Sequence, residues 1–281
     1  MHSLVRSASV AALLLASTAS ANHHIMQIQQ VIGGVGGDVT AQAIQLRQRF
    51  AGQNIMLNSR LRVYDANGLN PITIITFPAN VSNAAGGATI LIASPSFSSK
   101  TSPSCVPDFT MTNLIPASYL AAGKLAFEDG ATIWWSIAWG GAGYTGPQTL
   151  NVTNDSDGNA GAPFAGALPS TTTQALFYNG IASGASTTNA ANYLVTSGAA
   201  VFKNNPGANF TVIIPVCAGD LNNDTFVDDS DFVIFAAAYN LLDCGDPGMP
   251  AGCPADLNND DFVDDTDFVL FAAAYNALIC P

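Results

Sequence analysis

The chain has 281 residues, of which 48% are hydrophobic and only 10% are charged. This length allows one sizeable core and a smaller second unit. Residues 218–281 contain thirteen aspartates and no lysine or arginine, so the remainder carries +1 although the whole chain carries −12. Because phosphate binding needs clustered cations and the sequence has no basic patch, nucleic acid is excluded as a partner.

Residues 1–21 are predicted to be a secretion signal peptide. One positive charge lies within residues 1–6, an apolar run covers 10–15, and small residues follow at 19–21. The apolar run is too short to span a bilayer, and no later segment reaches eighteen apolar residues, so we expect no membrane span. The sequence therefore predicts a secreted protein, extracellular or at the cell surface.

Residues 22–215 are predicted to form a β-sandwich domain. Runs at 44–50, 72–77, 88–94, 133–139 and 209–216 alternate or are β-branched, and glycine, asparagine, serine and proline separate them. Short strands divided by turns are typical of a sandwich. Alternation places Trp135 and Trp139 on one strand face and Trp134 on the opposite face.

Part of this domain resembles the lamin-tail family of immunoglobulin-like sandwiches. The similar segments are IMQIQQVIGG, AIQLR, RLRVYDANG, ITIITFP and GATILIASPSF, which span about residues 25–97. The family's second strand usually reads Trp-Ile-Glu-Leu, and here it reads Ala43-Ile44-Gln45-Leu46. The resemblance implies an architecture and no reaction.

Few side chains of the N-terminal domain suit catalysis. Its only histidines are His23 and His24, and its only glutamate is Glu128. A serine triad needs a well-positioned histidine, which a chain terminus does not provide. The carboxylate pairs Glu128–Asp129 and Asp155–Asp157 each lie beside a glycine, as in hairpin turns. We therefore predict a non-catalytic domain.

Two alternatives involve polysaccharide. A glycoside hydrolase uses a pair of carboxylates, for which Glu128 with Asp129 is a candidate. A carbohydrate-binding protein would instead stack sugar rings on exposed aromatic side chains, and Trp134 is the best-placed candidate because Trp135 and Trp139 are expected to lie in the core. Both alternatives remain open at the level of the sequence.

Residues 217–244 and 253–280 are two copies of one 28-residue repeat, 36 positions apart. They read CAGDLNNDTFVDDSDFVIFAAAYNLLDC and CPADLNNDDFVDDTDFVLFAAAYNALIC. Oxygen-bearing side chains occupy alternate positions and then offsets nine and twelve, which is the spacing by which a loop wraps a hard cation. Because both copies keep every such position, the repeat predicts two calcium loops.

The predicted ligands are five side chains and one main-chain carbonyl in each loop. They are Asp220, Asn222, Asp224, the carbonyl of Phe226, Asp228 and Asp231 in the first loop, and Asp256, Asn258, Asp260, the carbonyl of Phe262, Asp264 and Asp267 in the second. Position six, usually glycine, is Thr225 or Asp261. Since Asp tolerates a left-handed backbone better than threonine does, we expect the first loop to be the more strained.

Residues 216–281 resemble a type I dockerin, a duplicated calcium loop and helix that lacks the entering helix of an EF-hand. The resemblance implies a small α-helical EF-hand-like module with two Ca²⁺ ions. It also implies a cohesin-like protein partner, bound through a helix face and loop positions ten and eleven. These are Asp229 and Ser230 in one copy and Asp265 and Thr266 in the other, whereas the best-known cellulosomal forms carry Ser-Thr. The whole chain is similar to secreted proteins of planctomycete-type bacteria.

Helices are predicted after both loops. Apolar spacing assigns four residues of each helix to a shared core: Phe232, Phe235, Ala236 and Tyr239, and Phe268, Phe271, Ala272 and Tyr275. The opposite face is apolar too, and it includes Val233 and Val269. Either a partner protein or the N-terminal domain is expected to cover that face.

Four of the five cysteines follow the 36-residue period of the repeat. A helix of about eleven residues spans roughly 16 Å, whereas bridged Cα atoms lie within about 7 Å, so a bridge across one copy would be strained. In a two-fold pair of loop-helix units each helix ends near the start of the other loop, so we favour the pairs Cys217–Cys280 and Cys244–Cys253, in an oxidising compartment. Cys105 is predicted to be a buried free thiol in the other domain.

Overall fold

The computed structural model describes residues 24–147, 161–181, 189–214, 218–224 and 226–277. A mainly β region with three sheets precedes a small helical part with two helices and acidic loops, which is the predicted fold class. Several sequence predictions fall outside the described residues, namely the signal peptide, Asp155 and Asp157, Cys217 and Cys280, and Thr225. No helix among the described residues is long and apolar enough to cross a membrane.

The described part of the β region contains thirteen strands. They are β1 (Met26–Ile32), β2 (Ala43–Gln48), β3 (Arg60–Tyr64), β4 (Ile72–Thr76), β5 (Thr89–Ala93), β6 (Thr101–Ser102), β7 (Phe109–Thr110), β8 (Gly123–Asp129), β9 (Thr132–Trp139), β10 (Leu176–Tyr178), β11 (Tyr193–Val195), β12 (Val201–Lys203) and β13 (Asn209–Val212). A four-residue helix, α1 (Asn189–Asn192), precedes β11.

These strands form sheets of six, four and three strands. The orders are β11-β10-β1-β2-β5-β7, β4-β3-β8-β9 and β12-β13-β6, and β5 pairs with β7 in parallel. The apolar faces of the six- and four-stranded sheets enclose one core, in which Ile44 and Leu46 of β2 meet residues such as Phe127 and Ile137. This core holds the two-layer part of the predicted sandwich together.

The alternation in β9 gives the predicted result for its tryptophans. Trp135 and Trp139 are fully buried. Each indole N–H has a partner, since Trp135 Nε1 donates to the Tyr193 hydroxyl at 2.8 Å and Trp139 Nε1 donates to the Tyr119 carbonyl at 2.9 Å. A large apolar ring is buried here without leaving its polar atom unpaired.

A third layer covers the other face of the six-stranded sheet. Phe97 and Phe202, the latter from β12, belong to a second buried cluster. Their rings meet edge to face with centroids 5.2 Å apart. Gln30 Nε2 donates to the Val201 carbonyl at 2.7 Å, and the Lys203 backbone N–H donates to Gln45 Oε1 at 2.5 Å. The central sheet is therefore buried on both faces, which a plain sandwich would not require.

The helical part contains α2 (Asp229–Tyr239) and α3 (Asp265–Ala277). Each helix follows one acidic loop. The aromatic rings of Phe235 and Phe271 stack between the helices with centroids 4.8 Å apart. Val227 and Val263, the eighth residue of each loop, are buried in the same cluster.

Candidate metal centres

Each acidic loop gathers three aspartates of the predicted ligand set. The groups are Asp220, Asp224 and Asp231 in the first loop and Asp256, Asp260 and Asp267 in the second. In each group one carboxylate oxygen per residue lies within 4.8 Å of the others. The two groups show the same gradation from exposed to fully buried, so the repeat in sequence is also a repeat in geometry.

The twelfth-position aspartates, Asp231 and Asp267, are fully buried. Asp231 Oδ1 accepts backbone hydrogen bonds from Leu221 and Asn222 at 2.7 and 3.0 Å, and its Oδ2 accepts one from Asp228 at 3.0 Å. Asp267 accepts the equivalent three bonds at 2.8, 3.0 and 2.9 Å. Three amide donors offset part of the cost of burying each charge, and Oδ2 keeps a lone pair for a cation.

The alternate positions fold the loop by bonding side chains to the backbone ahead. The backbone N–H of Asp224 donates to Oδ1 of Asp220 and of Asn222 at 3.0 and 2.9 Å, and Phe226 N–H donates to Asp224 Oδ1 at 2.9 Å. The second loop repeats all three bonds. These Asx-type turns accompany the convergence of the three carboxylates in each loop, and hard cations prefer such oxygen ligands.

The ninth position begins the helix in both copies. Asp228 accepts from the Ser230 backbone N–H at 2.8 Å, and Asp264 accepts from Thr266 N–H at 2.7 Å. In the first copy Asp228 and Asp231 form a reciprocal capping box. The structure brings together the three aspartates of each group, and the ligand roles of all twelve predicted residues stay predictions.

Position six of the second loop has the left-handed backbone that the sequence predicted. Asp261 has φ +72°, a region that favours glycine. Its N–H donates to Asp256 Oδ2 at 2.9 Å, so the strained residue helps to orient a carboxylate of the group. The expected greater strain at Thr225 lies outside the described residues.

The disulfide prediction is confirmed where the structure describes it. Cys244 and Cys253 are bridged, with their Cα atoms 5.4 Å apart, and this bridge connects the end of α2 to the start of the second loop. The backbone supports the same junction, since Val263 N–H donates to the Leu242 carbonyl at 2.8 Å. Cys105 is a buried free thiol, as predicted.

The helix core differs in part from its prediction. Phe235 and Phe271 are buried, but Phe232 and Phe268 remain 45% and 44% exposed, and Ala238 is buried instead. The two helices cross with one aromatic pair at the centre, so the flanking rings reach the surface. Val233 and Val269 are 68% and 66% exposed, and the described residues of the β region therefore do not cover this face.

One pair of contacts had no prediction from the sequence. The Tyr239 hydroxyl donates to Asp265 Oδ1 and the Tyr275 hydroxyl donates to Asp229 Oδ1, each at 2.5 Å. The acceptor carboxylate raises the pKa of each tyrosine, which therefore stays protonated as a donor. The signal in the sequence was a tyrosine at the same place in both copies, but its apolar spacing assigned it to the core.

The alternative catalytic residue Glu128 is part of an ion cluster. It is buried and accepts hydrogen bonds from Arg60 Nε at 3.0 Å, Arg62 Nη1 at 3.3 Å and the Tyr64 hydroxyl. Gly130, with φ +56°, turns the chain between β8 and β9, so the predicted hairpin turn is confirmed. Glu128 is therefore held by two arginines and a tyrosine hydroxyl.

The proposed sugar platform receives little support. Trp134 is partly buried, packs against the main core, and has its ring 5.5 Å from that of His24. Its indole Nε1 is buried too. A stacking platform needs an open ring face, and the contacts with the core and with His24 leave this ring only partly exposed.

The candidate metal centres are thus two equivalent oxygen-lined loops on a small helical scaffold. Comparisons of the chain with protein-family models, with curated proteins and with solved structures gave no match.

Proposed function

We propose that residues 216–281 are a dockerin-like module that binds two Ca²⁺ ions and attaches a secreted protein to a protein partner. The observation that carries this proposal is the pair of equivalent aspartate groups, each closed by a fully buried carboxylate. Six oxygen-bearing positions per loop suit calcium, which takes six to eight oxygen ligands, better than zinc, which takes nitrogen and sulfur.

Calcium would hold each loop and the start of its helix together. Asp228 caps α2 and Asp231 lies in its first turn, and both belong to the predicted ligand set. A cation bound there neutralises carboxylates that otherwise repel one another, so binding free energy becomes folding free energy.

The partner would bind the exposed face of the two helices. This face carries Phe232, Val233, Phe268 and Val269, and a contiguous apolar surface of this kind is typical of interaction sites. Because residues 218–281 contain thirteen aspartates and no lysine or arginine, we expect the partner's surface to have an apolar patch with a basic rim. A cohesin-like module remains the partner suggested by the resemblance.

The β region would be the cargo of this attachment. For it we propose a lamin-tail-like relationship, supported by the finding that the five similar segments supply β1 to β5. A non-catalytic role is favoured by the pairing of Glu128 with Arg60 and Arg62. The disulfide Cys244–Cys253 supports an extracellular location.

Calcium titration of the full oxidised chain tests the proposal. After removal of metal with a chelator, calorimetry should detect two equivalents of Ca²⁺, and the ellipticity at 222 nm should increase in magnitude on binding. Among the described residues only α1, α2 and α3 are α-helical, so this signal reports mainly on the module. A chain that takes up no Ca²⁺ and keeps its ellipticity in chelator would contradict the proposal.

A further inference from the structure

We propose that Tyr239 and Tyr275 couple the two calcium sites, so that occupation of one loop raises the affinity of the other. This inference rests on the proposed calcium binding. Each tyrosine lies at or near the end of one helix and bonds to the first residue of the other, Asp265 or Asp229. The two bonds, which we name the cross-ties, are reciprocal.

The geometry provides a continuous connection between the loops. The first loop ends inside α2, because Asp231 is both its twelfth residue and the third residue of the helix. The same eleven-residue helix ends at Tyr239, whose hydroxyl holds Asp265. Asp265 lies between Asp264 and Asp267, two residues of the second predicted ligand set. An ion that orders the first loop therefore orders the approach of the second.

The return connection is the same in reverse. The second loop ends inside α3 at Asp267, and Tyr275 of that helix holds Asp229 at the start of α2. The stacked Phe235 and Phe271 keep the two helices in register between the cross-ties. Two sites joined by rigid helices in both directions satisfy the requirement that coupling be reciprocal.

The cross-ties also account for the aspartates at loop position ten. This position is implied to contact a partner by the dockerin resemblance, yet both carboxylates accept hydrogen bonds from tyrosine within the module. Serine in their place would give a neutral and weaker acceptor. We infer that Asp229 and Asp265 act as positioning residues for the calcium loops.

A thermodynamic cycle in the full oxidised chain tests the coupling. Asp220→Ala with Asp224→Ala empties the first loop and leaves the buried Asp231 in place. The calcium affinity of the second loop is then measured by calorimetry with the first loop filled and with it emptied. We expect emptying to weaken the second site about three- to tenfold, the range of one ordinary net hydrogen bond, because both cross-ties are exposed to solvent.

The coupling ratio is the calcium affinity of the second loop with the first loop filled, divided by its affinity with the first loop emptied. This ratio is then measured in the variant that combines Tyr239→Phe and Tyr275→Phe, where we expect it to fall close to one. A merely structural loss would weaken both measurements equally and leave the ratio unchanged. Asn240→Ala with Asn276→Ala is the matched control, because these exposed residues directly follow the two tyrosines and lie outside both loops, and its ratio should match that of the unaltered chain.

An unchanged ratio in the double phenylalanine variant would overturn the proposed role of the two tyrosines while leaving calcium binding intact. A ratio of one in the unaltered chain would overturn it as well. Failure of the unaltered chain to bind Ca²⁺ would instead refute the proposed function, and the coupling would fall with it.

Discussion

The buried aspartate at position twelve offers the sharpest test of the calcium loops. We consider Asp267→Asn, which keeps the shape of the side chain and removes its charge. In the least costly orientation the new NH₂ group replaces Oδ2, because Oδ1 accepts two backbone bonds and Oδ2 accepts one, from Asp264. The NH₂ group then faces one N–H donor and the expected position of the cation.

The expected change in unfolding free energy has one part that does not depend on metal and one part that does. Loss of one charge-assisted hydrogen bond costs about 1.5–3 kcal/mol, offset in part because one of thirteen mutually repelling aspartates becomes neutral. At a free Ca²⁺ concentration one hundred times the dissociation constant, each intact site adds about 2.7 kcal/mol of stability. The variant should therefore lose about 2.7 kcal/mol of its calcium-dependent stabilisation.

Urea unfolding at 222 nm, with calcium and with chelator, measures this difference directly. Subtracting the two unfolding free energies cancels every effect that does not depend on metal. Asp246→Asn is the matched control, since it removes the same charge from an exposed turn of the module outside both loops. If Asp267→Asn gained as much stability from calcium as the control does, the second loop would not be a calcium site.

Four further outcomes are expected. Asp261→Gly should stabilise the second loop by about 0.5–1 kcal/mol relative to Asp261→Asn in chelator melts, because φ +72° suits glycine. Gly219→Ala should destabilise the module by about 1–3 kcal/mol in the same melts, since its Cβ would lie 3.1 Å from that of Ala274 at φ +101°. Glu128→Gln should lower the unfolding free energy of the β region by about 1–3 kcal/mol relative to Asp129→Asn, followed by tryptophan fluorescence, because Arg60 and Arg62 lose their anion. Burial raises the pKa of Cys105 to about 12, so iodoacetamide at pH 8 should alkylate this thiol, as read by mass spectrometry, only after unfolding.

The two acidic loops were predictable because the sequence pattern that indicates them is local. Ligand spacing along twelve residues determines which oxygens converge, and the Asx-type turns at Asp220, Asn222 and Asp224 involve neighbours two to four residues apart. The duplication supplied a second observation of the same pattern. The Cys244–Cys253 bridge followed from the length of one helix together with the expected two-fold pairing of the two copies.

The third layer of the β region was not predictable in this way. Gln30 and Gln45 alternate with apolar residues and so indicate a solvated strand face, yet both are buried because β12 approaches them. Alternation shows only which residues are polar. A glutamine whose polar atoms are hydrogen-bonded can lie in the interior as well as in solvent. The covering strand comes from about 170 residues further along the chain, beyond the reach of any periodicity.

The helix faces show the same limit on a smaller scale. Apolar spacing cannot tell which of Phe232 and Phe235 is buried between the helices, because the choice depends on the crossing geometry. The structure selects Phe235 and leaves Phe232 at the surface. Tyr239 was assigned to the core for its ring, whereas its hydroxyl makes the contact that matters for the opposite loop.

The proposed calcium ions would add stability that this small module otherwise lacks. Among its described residues only six apolar side chains are fully buried, namely Val227, Phe235, Ala238, Ala255, Val263 and Phe271. A core of that size rarely supplies more than about 3–5 kcal/mol, and small scaffolds usually add a disulfide or a metal. The thirteen aspartates of residues 218–281 repel one another, and no lysine or arginine in this segment offsets their charge, so they oppose folding further. Because two bound ions would supply both the missing stability and the missing positive charge, the exposed apolar face would be presented to a partner only where calcium is plentiful, as it is outside the cell.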